Sequence, residues 1–453
     1  MGNDWPIVKL GDYCKKIGSG ATPKGGSSVY LDLGDVCLIR SQNIYNEGFS
    51  ESGLVYIDDI AATKLKNVEV EKNDVLLNIT GDSVARVCLA PSDFLPARVN
   101  QHVAIIRPNA AEFDARFLRY LLASPKTQKL LLNLASAGAT RNALTKGMIE
   151  DFEVSKPPVS VQTGIANLLE SLDNKITLNR QINQTLEQMA QTLFKSWFVD
   201  FDPVMDNALD AGNPIPDELQ HRAEARKTVR ESEGFKPLPE DVRQLFPDAF
   251  EESELGWVPK GWDVGCLANI ASYTSNRVAT TTLSLNNYVS TENMLAEKKG
   301  IVEAANLPTV TTVPAYTTGN VLISNIRPYF KKIWMANGDG GHSNDVLGFE
   351  VKEQNTEGYL FNLLYQDALF EFMMTTAKGS KMPRGDKKAI LDWQLVIPPC
   401  ELREYFSLRV GDFYVSSSKR TEENKTLTKL RDTLLPKLIS GELRLDDIEL
   451  AVE

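Results

Sequence analysis

The stretch from Val159 to Phe198 reads VSVQTGIANLLESLDNKITLNRQINQTLEQMAQTLFKSWF, and no glycine or proline follows Gly164 within it. Polar Lys175 and Asn179 interrupt its middle. Apolar residues recur every three or four positions, at Ile165, Leu168, Leu172, Ile182, Leu186, Met189, Leu193 and Trp197. This spacing predicts one amphipathic helix of about 35 residues, roughly 50 Å long. An apolar seam of that length needs a second helix to cover it.

An internal repeat predicts the second helix. A shift of 241 positions aligns eleven identical residues between positions 138 and 198 and their counterparts, without a gap. The matches include Pro157-Pro158 with Pro398-Pro399 and Asn183 with Asn424. Chance recurrence of two prolines before a helix is the alternative, but the matches run from before the prolines to the helix end. A repeat of this size indicates a duplicated unit of a domain plus a helix.

The length and composition of the chain predict two or three domains, each with enough apolar residues to form a hydrophobic core. The chain has 453 residues, of which 42% are hydrophobic. Its five cysteines are scattered without a CxxC pair, and its three histidines have no metal-ligand spacing. No secretory signal and no membrane-length apolar run is present. We therefore expect no membrane association and a cytoplasmic location, with the cysteines reduced.

The charge is unevenly distributed. The net charge of -11 argues against a nucleic-acid-binding protein when taken alone. However, residues 200–254 contain fifteen Asp or Glu against six Lys or Arg, and residues 442–453 carry a net charge of -4. The rest of the chain has a net charge of +2, so basic surfaces are compatible with the sequence. The simplest interpretation of the acidic segment is a solvated face.

The order of segments predicts an α+β protein with two tandem mixed α/β domains, each followed by a long helix. Strand-like segments at 36–40, 54–57, 74–79, 85–89 and 102–107 precede a helical stretch at 113–135. The predicted boundaries are domain 1 at 1–157, helix 1 at 158–199, an acidic connector at 200–254, domain 2 at 255–399, helix 2 at 400–441 and an acidic tail at 442–453.

Four segments carry a family resemblance. They are DVLLNITG at Asp74–Gly81, VNQHVAIIRP at Val99–Pro108, LFKSWFVDFDP at Leu193–Pro203 and LFPDAFEESELGWVPKGW at Leu245–Trp262. With the domain openings at the two tryptophans 5 and 262, they span nearly the whole chain. The chain resembles the specificity subunit of a type I restriction–modification system. The VNQ segment has no good match in domain 2, where residues 341–345 occupy a similar place.

The resemblance implies two target-recognition domains, held by two helices packed as an antiparallel coiled coil with pseudo-two-fold symmetry. It also implies a non-catalytic subunit that recognises a bipartite target in double-stranded DNA. The implied partners are two modification (methyltransferase) subunits and the restriction subunits. S-adenosylmethionine, ATP and magnesium would then bind to those partners, and this chain would bind no cofactor.

Two other functions remain open. The first is a stand-alone DNA methyltransferase or nuclease. The Pro-Pro pairs stand in SKPPV and VIPPC, which lack the Asn or Asp before and the aromatic after that a methyltransferase motif requires, and no Walker motif is present. The second is a coiled-coil interaction protein without a role on DNA.

Side chains that hydrogen-bond to base edges or phosphates are the candidates for DNA contact. In domain 1 they are Arg40, Gln42, Asn43, Asn78, Thr80, Arg98, Arg141 and Asn142. In domain 2 they are Asn276, Arg277, Asn325, Arg327, Tyr329, Lys331, Lys332, Asn344, Lys381 and Arg384. A solvated side chain or a turn-forming asparagine is the alternative for each.

Apolar clusters near the ends of the helices predict a surface for partner subunits. The residues are Phe194, Trp197, Phe198, Phe201, Leu434, Leu435, Leu438 and Ile439. The alternative is that these side chains fold back onto the neighbouring domain.

Overall fold

The computed structural model describes residues 5–136, 142–379 and 381–445. The chain forms two compact units: unit 1 is Met1–Asn179 with Glu422–Glu453, and unit 2 is Arg180–Thr421. Each is a mixed α/β structure, and a part of each long helix belongs to each unit.

Unit 1 is built around two four-stranded sheets. Its strands are Ile7–Lys9 (β1), Cys14–Ser19 (β2), Val36–Ile39 (β3), Ile44–Tyr45 (β4), Gly48–Phe49 (β5), Val55–Ile57 (β6), Glu69–Val70 (β7), Val75–Asn78 (β8), Val87–Leu89 (β9), Ala97–Val99 (β10), Val103–Pro108 (β11) and Glu153–Ser155 (β12). The sheets have the orders β6-β3-β10-β7 and β2-β11-β8-β9, and β1 pairs with β12. All five strands predicted for domain 1 are present, with ends that differ by one or two residues.

The helices of unit 1 cover these sheets. They are Asp59–Lys64 (α1), Ala115–Ala123 (α2), Pro125–Ser136 (α3), Lys146–Glu150 (α4) and the first part of Val159–Phe198 (α5). The helical stretch expected at 113–135 is divided at Ser124, because the ring of Pro125 disfavours the helical conformation for the residue before it. By contrast, α5 is one uninterrupted helix of 40 residues, as its apolar spacing predicted.

Unit 2 contains the connector and a second set of sheets. Its strands are Phe250–Ser253 (β13), Gly256–Pro259 (β14), Asp263–Cys266 (β15), Ala271–Tyr273 (β16), Arg277–Ala279 (β17), Tyr288–Val289 (β18), Thr312–Tyr316 (β19), Val321–Ser324 (β20), Ile333–Met335 (β21), Gly340–His342 (β22), Val346–Val351 (β23) and Gln394–Ile397 (β24). Its helices, besides the second part of α5, are Asp202–Ala211 (α6), Gln220–Arg230 (α7), Glu240–Arg243 (α8), Leu267–Ile270 (α9), Glu357–Tyr365 (α10), Asp367–Thr375 (α11), Lys387–Leu391 (α12) and the first part of Cys400–Ser440 (α13).

One sheet has the same strand order and register in both units. The order β16-β23-β20-β21 in unit 2 reproduces β2-β11-β8-β9 in unit 1. Val103 pairs with Asn78 in unit 1, and Val346 pairs with Ser324 in unit 2. The next pairs, β8 with β9 and β20 with β21, keep this correspondence at a shift of 246 positions. The repeat therefore extends into strands that share little sequence.

The two long helices run in opposite directions within each unit. In unit 1, Asp173 accepts a hydrogen bond from Arg431 at 2.8 Å, and Asn179 donates to Asn424 at 2.9 Å. In unit 2, Asn183 donates to Thr421 at 3.3 Å, and the ring of Trp197 lies 6.2 Å from that of Tyr405. Later residues of α5 thus contact earlier residues of α13, as in an antiparallel pair of helices. The polar middle of the seam is a set of hydrogen bonds, whereas Met189, which the spacing placed in the seam, is 49% exposed.

The apolar clusters near the ends of the helices are interior, so the prediction that they are exposed is wrong. Their side chains are buried or half-buried in the core of their own unit: Phe194, Trp197, Phe198 and Phe201 in unit 2, and Leu434, Leu435, Leu438 and Ile439 in unit 1. In unit 2, the ring of Phe194 lies 5.7 Å from that of Phe406, and Phe201 lies 5.7 Å from Trp262. Aromatic side chains bury the most apolar area, and here the unit's own domain supplies the covering surface.

The acidic connector is folded, and some of its carboxylates pair with its own arginines. Asp206 binds Arg226 at 2.7 Å, and Asp210 binds Arg243 at 2.7 Å and also Arg230. The expectation of a simply solvated acidic face is therefore wrong for these carboxylates. Their partners lie in α7 and α8, within 40 residues along the chain.

Candidate nucleic-acid interface

Each unit has its own copy of the sheet with the common strand order, and the same junction of loops lies at one end of it. In unit 1, β8 continues into the hairpin loop 79–86, and Ile79 N–H donates to the carbonyl of His102 at 2.9 Å. In unit 2, β20 continues into the hairpin loop 325–332, and Asn325 N–H donates to the carbonyl of Asp345 at 2.8 Å. Each hairpin loop is thus fixed against the residue that precedes the next strand of the sheet.

A third segment completes each junction. Thr80 forms an isolated antiparallel bridge with Ala143, and Ile326 forms one with Arg384. Positions 143 and 384 are related by the 241-residue shift of the sequence repeat. We call residues 79–86, 100–102 and 142–145 loop cluster 1. We call residues 325–332, 343–345, 378–379 and 381–386 loop cluster 2. Loops held together by a rigid sheet are a common location for binding sites.

The two hairpin loops share an unusual backbone. Gly81 and Ala85 lie in the left-handed region of the backbone, with φ angles of 77° and 72°. Their counterparts at a shift of 246, Arg327 and Lys331, have φ angles of 51° and 49°. A residue other than glycine in this region costs about 1–3 kcal/mol and persists where the surroundings determine it. The shape of the loop is therefore kept although its sequence differs between the units.

Loop cluster 2 is strongly basic. It contains six Lys or Arg against two Asp, whereas loop cluster 1 contains one Arg and one Asp. Arg384 pairs with Asp345 at 3.1 Å, and Lys378 pairs with Asp386 at 2.6 Å. Lys381 is exposed, as are Lys387 and Lys388 at the start of α12. A surface with this excess of cations attracts phosphate groups.

Two further lysines of loop cluster 2 are also bound within the unit. Lys331 pairs with Asp367 at 3.0 Å, beside the pair of Lys298 with the same carboxylate at 2.7 Å. The hydrogen bond from Lys298, with that from Lys331, holds the pKa of Asp367 below its ordinary value. Lys332 donates to the carbonyl of Thr291 at 2.6 Å, and burial lowers its pKa. These contacts anchor the base of the hairpin loop.

Comparison with known proteins finds one kind of protein to which this chain is similar. A family model described as the type I restriction modification DNA specificity domain matches residues 2–188. The specificity subunit of the type I restriction enzyme HindI from Haemophilus influenzae is 26% identical, over 97% of this chain and 100% of its own length. The MjaIX specificity subunit from Methanocaldococcus jannaschii is 22% identical, over 98% of this chain and 95% of its own length.

The chain is thus similar to type I restriction enzyme specificity subunits over nearly its whole length. This confirms the resemblance that the sequence motifs indicated. The fold agrees: a crystal structure of the S subunit of a type I restriction–modification system from M. genitalium superposes with a TM-score of 0.57, at 13% identity, over 96% of each chain.

Seven of the candidate DNA contacts of this chain lie exposed or half-exposed in the loop clusters. They are Thr80 and Asn142 in loop cluster 1, and Arg327, Tyr329, Asn344, Lys381 and Arg384 in loop cluster 2. Lys331 and Lys332 lie there too, bound as described. These remain predictions as DNA contacts, and Arg141 lies outside the described residues.

Four other candidates lie away from the loop clusters. Arg40 and exposed Gln42 both donate to the carbonyl of Gly53, the latter at 3.2 Å. Asn276 is exposed just before β17, and Arg277 donates to the carbonyl of Thr312 at 2.8 Å. Arg40, Gln42 and Arg277 therefore already make intramolecular hydrogen bonds.

Four candidates are buried, and their prediction as DNA contacts is contradicted. Asn43, Asn78, Arg98 and Asn325 are at most 7% exposed. Each donates from its side chain to a backbone carbonyl. Asn43 donates to Ser50 at 2.9 Å, and Asn78 donates to Ser41 at 2.8 Å. Arg98 donates to Ala97 at 3.0 Å, and Asn325 donates to Gly385 at 3.2 Å. Buried backbone groups need partners, and these side chains provide them.

The sequence reasoning missed several residues of the clusters. Half-buried His102 lies in loop cluster 1, where the hydroxyl of Thr80 lies 2.5 Å from Nδ1 of His102. Exposed Lys378 and Phe330 lie in loop cluster 2. The concentration of lysines over residues 378–388 was the available signal for the second cluster.

Across residues 5–136, 142–379 and 381–445, no helix is long and apolar enough to cross a membrane. Within the same ranges, the structure brings together no group of three or more His, Cys, Asp or Glu side chains suited to a metal ion.

Proposed function

We propose that this chain is the DNA specificity subunit of a type I restriction–modification enzyme and recognises a bipartite target in double-stranded DNA. The observation that carries the proposal is the loop junction, which occurs once in each unit on the same backbone with different side chains. Two similar sets of loops with different chemistry are suited to two different half-sites. Base-edge contacts from such loops would provide specificity, and cations would bind phosphates.

The proposed organisation has target-recognition domains at 1–157 and 255–399, with helices at 158–199 and 400–441, a connector at 200–254 and a tail at 442–453. The helices would form an antiparallel coiled coil with pseudo-two-fold symmetry. Opposite helix directions within each unit, and the equal registers of β8 with β11 and β20 with β23, support this organisation.

The proposed partners are two modification subunits and, for cleavage, restriction subunits in the cytoplasm. The repeat supports two copies of one partner, because related surfaces on one chain bind related surfaces on another. S-adenosylmethionine, ATP and magnesium would bind to the partners. In support, the sequence contains neither the methyltransferase motif nor a Walker motif. The alternative of a stand-alone methyltransferase or nuclease has no observation in its favour.

The experiment tests whether the helices set the spacing between the half-sites. The target is first determined by sequencing methylated DNA from cells that express the chain with its modification subunits. Binding is then measured on duplexes with spacers of different length. Deleting Asn179–Thr185 together with Arg420–Thr426 removes seven residues from facing stretches, about 10 Å of helix. The preferred spacer should shorten, or binding should be lost.

A deletion of Asn179–Thr185 alone is the control. It removes the hydrogen bonds of Asn179 with Asn424 and shifts the register of one helix only, so it should destabilise the chain without selecting a new spacer. An unchanged spacer in the double deletion would refute the idea that the helices set the distance. A chain that shows no sequence preference with its partners present would refute the proposed function itself.

A further inference from the structure

Two adjacent aromatic side chains lie at the tip of the hairpin loop of unit 2. Tyr329 is 47% exposed and Phe330 is 36% exposed. Their ring centroids lie 4.7 Å apart, with an angle of 52° between the planes. Neither ring belongs to a core cluster of the described residues. Large apolar groups that stay exposed together mark a contact surface.

The tip is held rigidly in place. Pro328 lies between the left-handed Arg327 and the aromatic pair. Arg327 N–H donates to the carbonyl of Pro383 at 2.8 Å, and Glu297 N–H donates to the carbonyl of Phe330 at 2.9 Å. A surface that is already ordered loses little conformational entropy on binding. The backbone that carries the aromatic pair is therefore fixed by hydrogen bonds to neighbouring segments.

The charge around the tip indicates a nucleic acid as the occupant. Tyr329 and Phe330 belong to loop cluster 2, in which six cationic side chains outnumber two carboxylates. Exposed Lys381 and Arg384 lie on the segment that pairs with the hairpin loop at Ile326. An apolar pair among cations matches the edge of a duplex, which presents phosphates on both sides of a groove.

The corresponding loop of unit 1 has the same backbone but no aromatic tip. At a shift of 246, Ser83 replaces Tyr329 and Val84 replaces Phe330. Val84 is only 5% exposed, and the neighbouring exposed side chain is the acidic Asp82. The difference between the two loops therefore lies in the tip side chains. Side chains that vary on a fixed backbone are suited to determining which half-site each unit prefers.

We propose that Tyr329 and Phe330 make an apolar contact with the methyl group of a thymine in the half-site read by unit 2. This rests on the proposed function. The thymine C5-methyl is the apolar group that the major groove presents, and aromatic side chains contact it. Phe330 is almost two-thirds covered within its own unit, so the pair contacts the base edge and does not insert between base pairs.

The test replaces each thymine of the half-site with deoxyuridine, which removes only the methyl group. Affinity is measured for the full chain in complex with its modification subunits. At one position, wild-type affinity should fall about fourfold, the value for one buried methyl group. In the Tyr329→Ala/Phe330→Ala variant, the same replacement should have no effect. Tyr329→Phe and Phe330→Leu, which retain apolar surface, should keep the dependence on the methyl group.

Folding of the double alanine variant is checked by its preference for the half-site of unit 1, which should be unchanged. Equal deoxyuridine effects in wild type and variant would overturn the inference, as would a half-site of unit 2 without an A·T pair. A rise in 2-aminopurine fluorescence next to the site on binding would also overturn it, because unstacking indicates insertion between bases. If the wild type distinguishes no sequence at all, the proposed function fails, and with it the inference.

Discussion

Replacing Asp173 with asparagine should destabilise unit 1 by about 2–4 kcal/mol. The Asp173 carboxylate accepts hydrogen bonds from Tyr120 at 2.7 Å, Arg119 at 3.2 Å and Arg431 at 2.8 Å. These donors lie on α2 and α13, so one carboxylate on α5 joins three helices of unit 1. The guanidinium-bearing side chains of Arg119 and Arg431 are only 9% and 18% exposed.

The magnitude follows from the burial of the partners. Breaking a buried ion pair by removing one charge costs about 3–5 kcal/mol, because the other charge stays buried without a partner. The expected loss is somewhat lower here, because the Asp173 side chain is 19% exposed to water and Arg431 keeps its pair with Asp432 at 2.8 Å. Asparagine has nearly the same shape as aspartate, so wild type and variant differ in charge and hydrogen bonding and not in packing.

The pKa of Asp173 gives the prediction a dependence on pH. Burial raises this pKa, but the hydrogen bonds from Arg431 and Tyr120 and the charges of Arg119 and Arg431 outweigh burial and hold it below its ordinary value. A lowered carboxylate pKa stabilises the folded state above the unfolded pKa of about 3.9 and loses this contribution as the pH falls through the folded value. The difference between wild type and variant should therefore shrink below about pH 4.

Hydrogen exchange measures this loss locally, which suits a chain of two units. Amides of α2 should exchange roughly 30- to 700-fold faster in the Asp173→Asn variant, at 1.4 kcal/mol per factor of ten. Asp151→Asn is the matched control, since its pair with Lys9 is 70% and 56% exposed and solvent screens its contribution to stability. If the two variants differ by less than about 0.5 kcal/mol, the network around Asp173 contributes no more than a surface ion pair.

Two further substitutions test the cores. Trp197→Ala should destabilise unit 2 by about 3–5 kcal/mol, because removal of a ring that is only 3% exposed leaves a large cavity. Chemical denaturation followed by circular dichroism measures this loss of stability. Unchanged stability together with lost binding of a partner would show that Trp197 lies in a partner interface after all. Gly20→Ala should destabilise unit 1 by about 3 kcal/mol or more, because a Cβ would lie 2.1 Å from the carbonyl oxygen of Val99. Gly18→Ala is its control, with no atom within 4 Å of the new carbon, and equal thermal stabilities of the two variants would contradict the close approach.

The elements of this protein were more predictable from the sequence than the directions of its polar side chains. The helix α5 was predictable because its apolar spacing can be read from neighbouring residues alone, and the apolar side of the helix is the side that packs. The break at Ser124 was a local signal too, since Pro125 was visible, but the apolar spacing on both sides favoured one helix. The repeat supplied the position of α13 independently of its weak apolar pattern.

The candidate site was predictable in its location and not in its detail. Asn78 and Thr80 lie two residues apart, yet the Asn78 side chain turns inward to the carbonyl of Ser41, 37 residues away in the chain. No local pattern distinguishes an asparagine that supports a distant loop from one that faces solvent. Similarly, Trp197 was a good candidate for an interface by residue type, and its burial depends on α13, which begins about 200 residues later.

The division of the chain between the units has a consequence for synthesis. Unit 2 is one continuous segment, Arg180–Thr421, whereas unit 1 needs residues from both ends of the chain. Leu435, Leu438 and Ile439 belong to the core of unit 1 and leave the ribosome after all of unit 2. Domains fold as units during translation, usually in the order of their synthesis. Here the order is reversed: the segment made in the middle can finish folding first, while the N-terminal sheets wait for the last turns of α13 to close their core.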